Sequence, residues 1–331
     1  MSHRCHFNYR TKAAIAVVIA LRLAAQKPIN VTQGITVTTS SGAKRRLAAL
    51  NKSEGNRITR FLFDTWNAQG DDLRFQDIEF ALSNGKFSPQ VLSAWREEYI
   101  KYVDNMGDVW RASSAKSGDF VMTGLFKSAA LRQPLAFDSF SQGVNLWIQN
   151  RGALNIAGFT DTQTRATRFL LNYFTTEVPL TVSEMGRVLR ASTGLSGPQG
   201  QSLAKFGRGL QAKGFKGSVL EGKIFRREAQ MIAARAKAIA RNEIINAYNA
   251  GTREAYRQVA ESAALDGDQI PVKIWDAAPN CCPTCCALHG EIVEMNDSYS
   301  DGSDSPPQHI RCDCNEETGL MSVEEFNEVA A

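Results

Sequence analysis

The sequence predicts a mainly α-helical N-terminal region followed by a small α+β C-terminal domain pinned by a cysteine cluster. Three observations carry this expectation. Apolar residues recur at three- and four-residue spacing through long stretches of the first 260 positions. Eight glycines crowd residues 191–222 and mark a break in composition. Six of the seven cysteines fall within residues 281–314, among short apolar runs bounded by turn residues. The expected division is a helical N-terminal region over 1–190, a Gly-rich basic linker over 191–222 and a cysteine-pinned domain over 223–331.

The elements follow in chain order. Residues 13–21 form an apolar run behind Arg4, Arg10 and Lys12. Arg22 interrupts it, and it is too short to span a bilayer, so it reads as a buried or docking helix rather than a cleaved signal. Residues 31–39 are rich in Thr, Val and Ile and read as a strand or extended arm. A helical pattern runs from about 54 to 110. Within it Ser88 is placed as an N-cap, Pro89 as the first helical residue, and Phe87 with Leu92 as a hydrophobic staple. Leu92, Trp95, Tyr99, Tyr102, Val103 and Met106 mark the packed face, while Asn84-Gly85 and residues 105–107 read as turns or helix ends. Residues 113–158 carry no clear period. A helix is expected over 162–175, ended by Pro179, and another opens at the capping box Thr181 to Glu184.

The glycine-rich stretch holds Lys205, Arg208, Lys213 and Lys216 and reads as a flexible connection with room for a short helix. One long helix is expected over 224–263. Gly251 inside it signals either a break or a close backbone approach. Strands are expected over 270–275, 290–295 and 310–314, with a short acidic helix over 322–329.

Length and composition narrow the class. The 331 residues suffice for a sizeable core, and 43% hydrophobic with 22% charged residues is the balance of a folded chain, not of a disordered one. The net charge of +4 hides a division. From Glu261 onward there are 2 basic and 15 acidic residues, a net of −13, whereas the preceding part carries +17. A basic N-terminal part suits a polyanion or an acidic protein surface.

The chemistry is concentrated between Asp276 and Cys314. Cys282 and Cys285 form a Cys-x-x-Cys knuckle, Cys312 and Cys314 form a Cys-x-Cys pair, and His309 stands three residues before Cys312. Two thiolates from each half can converge on one tetrahedral ion. The natural ligand set is the four cysteines, or three of them with His309, and structural zinc is the expected cofactor. Disulfides and buried free thiols remain the alternatives, and Cys281 and Cys286 leave the set open. A deaminase-type site needs His-x-Glu ahead of its Cys-x-x-Cys, and no histidine lies between His6 and His289. A His-Glu-x-x-His helix and a phosphate-binding glycine motif are absent from the sequence as well.

Two segments together resemble the phage Mu F-like minor head protein family, the phage head morphogenesis domain. The first is residues 239–243 (Ile-Ala-Arg-Asn-Glu) with residues 247–256, which contain Asn249, Gly251, Glu254 and Tyr256. The second is Trp275-Asp276, the Cys282–Cys285 knuckle, residues 287–290 (Ala-Leu-His-Gly), Pro306-Pro307-Gln308-His309 and Cys312-Asp313-Cys314. The resemblance covers roughly residues 205–319. The chain departs from the family pattern at Asn242, His289, Ile310 and Asp313; Asp313 replaces a usual arginine, and Arg311 is a partial substitute. The resemblance implies a minor virion component near the portal, acting in head assembly and in DNA packaging or delivery. The partners it implies are the portal protein and capsid, with phage DNA a further partner for the basic part. The implied location is the virion, and the host cytoplasm during assembly. It implies no enzymatic reaction and no membrane. The alternatives are a phage-delivered toxin-like or nucleic-acid-modifying enzyme, which needs a convergent acid–base or nucleophile set, and a free zinc-ribbon-like nucleic-acid binder, which the acidic surroundings of the knuckle disfavour.

Overall fold

The computed structural model describes residues 40–330 apart from 128–129, 132, 178–179, 263–267 and 310–311. The expectations for 13–21, 31–39, Pro179 and Arg311 lie outside the described residues. Among the described residues seven helices come first: α1 (Ser40–Asp71), α2 (Phe75–Asn84), α3 (Pro89–Lys127), α4 (Gln142–Glu177), α5 (Val182–Ala191), α6 (Gly197–Ala212) and α7 (Gly217–Glu261). A 3-10 turn, Ser192–Gly194, joins α5 to the α6 segment. Then come β1 (Gln269–Asp276), α8 (Pro283–Ala287), β2 (Ile292–Glu294), β3 (Asn315–Ser322) and α9 (Val323–Ala330). The chain is thus mainly helical with a small antiparallel sheet near its C-terminal end, as the sequence predicts.

Helix ends obey the local signals. The Ser88 hydroxyl accepts from Val91 N–H at 3.4 Å with Pro89 leading α3. Phe87 is buried and packs edge-on against Trp95 at 5.0 Å. Gly85 closes α2 in the left-handed region at φ 67°. At α5, Thr181 N–H donates to Glu184 at 2.8 Å and Glu184 N–H returns a bond to the Thr181 hydroxyl at 3.2 Å.

Three expectations are corrected. Residues 105–107 do not end a helix; they lie inside α3, where Met106, Val109 and Trp110 are buried in the main core. That packing outweighs the roughly 1 kcal/mol penalty of an internal glycine. The unassigned stretch 113–158 holds the end of α3 and the start of α4. Its period is hidden because the face of α3 toward α7 is built from small polar residues. Ser113, Ser114 and Ser117 are buried, and the Ser114 hydroxyl donates to Ala247 O at 2.9 Å. Gly251 answers them on α7: a Cβ there would run into the backbone of Ser114 and the hydroxyl of Ser117. It marks a close approach of two helices, and α7 continues through it.

The third correction concerns the last strand. Residues 312–314 are not part of it, and residues 310–311 lie outside the described ones; the strand runs from Asn315 to Ser322, pairing along the whole of β1 from Asp276↔Asn315 to Gln269↔Ser322. The residues just before it are committed elsewhere: the Cys312 backbone N–H bonds His309 O at 3.0 Å, and the Cys314 side-chain Sγ accepts from Ala278 N–H at 3.4 Å. β1 is central, with β2 antiparallel on its other side.

The glycine-rich stretch carries α6, packed on α4. Gly200 lies against the backbone of Ala166, where a Cβ would come within 2.7 Å of the carbonyl oxygen. Its glycines therefore permit a close helix contact. The largest apolar cluster runs from Leu47 to Tyr248 and draws on α1 to α7 together. Among the described residues no helix is long and apolar enough to cross a membrane.

Within this core Glu228 of α7 is 1% exposed. One carboxylate oxygen accepts from the Ser192 hydroxyl at 2.6 Å, and the other has no partner among the described residues. Burial pushes its pKa up to about 8, against the Ser192 bond, which lowers it. The unfolded chain ionises near 4.5 while the folded chain holds its proton. Stability from this group is therefore complete below that value and drains away as pH rises toward 8, by about 3 kcal/mol at pH 7. Glu228→Gln removes the titration. The melting temperature of the variant minus that of the wild type should rise by several degrees between pH 4.5 and 8. A difference that stays flat over that range would refute the assignment.

Candidate metal centre

Helix α7 is the platform for the C-terminal loops. Asn242 and Asn249 are seven residues apart and so share a face. Asn242 Nδ2 donates to His309 O at 2.9 Å and Asn249 Nδ2 to Pro306 O at 2.8 Å. Four residues further, Arg253 donates to Asp304 O at 3.1 Å, a carbonyl that also receives Lys273 Nζ from β1 at 2.7 Å. The segment 304–309, with its cis Pro306–Pro307 peptide, is held through its backbone at three carbonyls. Its His309 side chain is left to face the knuckle.

The knuckle is positioned from the other side. Cys282 caps the short helix α8, with Pro283 at the first turn, and Cys286 N–H bonds Cys282 O at 2.9 Å. Beneath it Trp275 meets Tyr299 edge-on at 5.0 Å, in a small apolar cluster that includes Cys285, Leu288, Cys312 and Cys314.

All five residues expected at a metal site come together. Cys282, Cys285 and His309 form one group, and Cys285, Cys312 and Cys314 another; in each, the donor atoms lie within 4.8 Å of one another. Cys285 belongs to both. Its sulfur lies 3.8 Å from Cys312 Sγ and 3.8 Å from His309 Nε2, and His309 Nε2 lies 3.3 Å from Cys282 Sγ. A tetrahedral zinc ion with bonds of about 2.3 Å to sulfur separates its sulfurs by about 3.8 Å. The donor set and its spacing therefore fit such an ion. Cys285, Cys312 and Cys314 are buried, whereas His309 is exposed.

The thiols share charge unevenly. Hydrogen bonds from Cys285 and Cys314 hold Cys312 well below the usual thiol range. The same interaction with Cys312 pushes Cys285 far up. A metal needs thiolates, and a divalent cation would take the place of the shared protons. Cys281 and Cys286, whose role the sequence leaves open, form a disulfide with each other. The remaining four described cysteines are free thiols.

The helix-borne motif and the cysteine loops thus form one unit, joined by Asn242, Asn249 and Arg253. Residues 199–316 match the family described as Phage Mu protein F like protein. The resemblance read from the sequence is borne out over nearly the same limits. No curated protein and no solved structure matches the chain.

The phage Mu F-like segment runs from α6 into β3 and is anchored to the rest of the chain at Glu243. This carboxylate is 2% exposed and accepts from Trp110 Nε1 of α3 at 3.1 Å and from Arg151 Nε of α4 at 3.0 Å. Burial lowers the Arg151 pKa, and the Glu243 carboxylate more than offsets this, leaving it raised. The departures from the family pattern are accommodated locally. Asp313 pairs with Arg241 at 2.9 Å, and His289 Nδ1 accepts from Ala277 N–H at 3.2 Å. Sequence reasoning missed the roles of Asn242 and Asn249. Their seven-residue spacing on a long helix was the available signal.

Proposed function

We propose that the protein is a minor head component of a tailed-phage particle, acting in head assembly and in DNA packaging or delivery near the portal. The observation that carries this is the match of residues 199–316 to the phage Mu protein F-like family. Its role is recognition and assembly, with no enzymatic step of its own. Portal and capsid are its protein partners, and phage DNA is the partner of its basic part. The virion is its final location, reached from the host cytoplasm.

In this reading the C-terminal unit is a rigid module held on α7. Zinc bound by Cys282, Cys285, Cys312 and Cys314, or with His309 in place of one cysteine, would supply structural cross-linking between the α8 knuckle and the segments bearing His309, Cys312 and Cys314. The residues of this chain do the positioning: the asparagines of α7 fix the loop, and α8 presents the knuckle.

Mass spectrometry of purified particles and of separated heads and tails tests the reading, with cryo-EM giving the position. The protein should be found in DNA-filled heads and be absent from tails. Recovery only from soluble lysate, with normal DNA-filled particles formed when the gene is deleted, would overturn it.

A further inference from the structure

Helices α6 and α7 are joined by a turn over 213–216 and enclose an open groove of about 850 Å³. Lys205 and Lys213 line it from α6 and the turn, Lys223, Arg226 and Arg227 from α7, and Phe206 contributes a ring that is 37% exposed. Over residues 197–227 the chain carries seven basic residues and one acidic one. The acidic residue, Glu221, is buried and holds Arg187 through both oxygens, at 2.6 and 3.0 Å. Its charge is thus committed away from the groove. Among the described residues none of the five lining cations pairs with a carboxylate. Lys223 lies over the Phe215 ring at 4.6 Å, and Arg226 donates to its own helix at Gly222 O at 3.2 Å. Both interactions leave the positive charge uncompensated.

Two helix walls and the turn between them therefore bring five positive charges to one trough, where their fields add. Protein–protein interface cores are depleted in lysine and built around apolar anchors. This groove has the opposite make-up, three lysines and two arginines around one aromatic ring. Phosphodiester chains are bound by such cations without regard to sequence.

We propose that the α6–α7 groove is a sequence-independent docking site for the phosphate backbone of DNA. This deepens the proposed interaction with phage DNA and rests on that reading. It moves the binding surface from the basic half at large to a groove inside the phage Mu F-like segment.

The test is fluorescence anisotropy of a labelled 30-base-pair duplex of arbitrary sequence against the full chain, from about 50 to 200 mM salt. One variant, K205Q/K213Q/R226Q/R227Q, neutralises the groove. A second, K52Q/R60Q/K86Q/R96Q, removes the same charge from exposed positions outside it. Circular dichroism and the melting temperature establish that both are folded. The groove variant should bind at least about tenfold more weakly. Its log K against log salt should be shallower by roughly 0.9 for each phosphate that it no longer neutralises. The second variant should bind as the wild type does. Equal weakening in the two variants, or none in the first, would overturn the groove and leave the broader DNA interaction standing. A wild-type chain that fails to bind at the lowest salt would overturn both. Binding of poly-L-glutamate more tightly than the duplex, at matched charge and salt and lost in the groove variant, would instead identify an acidic protein segment as the occupant and overturn the assignment to DNA.

Discussion

Replacing Cys285 with alanine is expected to unfold the C-terminal module. Cys285 is the one residue common to both groups of donors, and its sulfur is fully buried between them. On the proposed zinc reading its loss removes the ion from either ligand set. Structural zinc in a small site contributes on the order of 10 kcal/mol at neutral pH, and this module has only a short sheet and a few apolar residues to stand in for it. Elemental analysis of protein purified under reducing conditions should find about one metal ion per chain. The Cys285→Ala chain should hold none, and chelator should lower the melting temperature of the wild type. The double variant C281S/C286S is the matched control. Those sulfurs are bonded to each other, so metal content should persist without them. A wild-type chain with no bound metal, and a melting temperature unmoved by chelator, would end the zinc reading.

Glu243→Ala should destabilise the whole helical body by about 3–5 kcal/mol, the usual consequence of removing one partner from a buried ion pair. The carboxylate is shared by Trp110 of α3 and Arg151 of α4, and the Arg151 side chain is only 23% exposed. Truncation leaves a buried guanidinium without its counter-charge and an indole N–H without an acceptor. Glu243→Gln keeps an acceptor for Trp110 and should lose less. Chemical denaturation followed by tryptophan fluorescence measures both. A loss below about 1 kcal/mol for the alanine variant, within the range of an exposed pair, would show that Glu243 does not anchor α7 to the N-terminal helices. The residue lies in the helix motif that resembles the family. Its structural role there is to connect the loop platform with α3 and α4.

The helical architecture was legible wherever large apolar residues mark the packed face or a cap is written in local chemistry. Trp95, Tyr99, Tyr102 and Met106 are all buried at the spacing that announced them. It was illegible across 113–158, because Ser113, Ser114 and Ser117 let α3 approach α7 without an apolar stripe. The 197–212 helix was masked by composition. Glycine lowers helix propensity, and it is present at Gly200 because the backbone of Ala166 lies too close for a Cβ. β3 was hidden for a related reason. Asn315, Glu316, Glu317 and Gly319 are poor strand formers, and pairing with the full length of β1 overrides that preference.

At the candidate site the sequence by itself marked the five candidate donors that the fold brings together, the knuckle, the histidine beside it and the long helix that carries the motif. Period, capping and ligand spacing are properties of residues close together in the chain. Only the tertiary structure decided that Cys281 and Cys286 pair with each other, that Cys285 is the member common to both donor groups, and that Asn242 and Asn249 hold the loop bearing His309. Those outcomes depend on which sulfurs and carbonyls meet through space after α7, β1 and the segments 304–309 and 312–314 have packed. Residues some 27 to 67 positions apart that meet in this way leave no periodic trace in the chain.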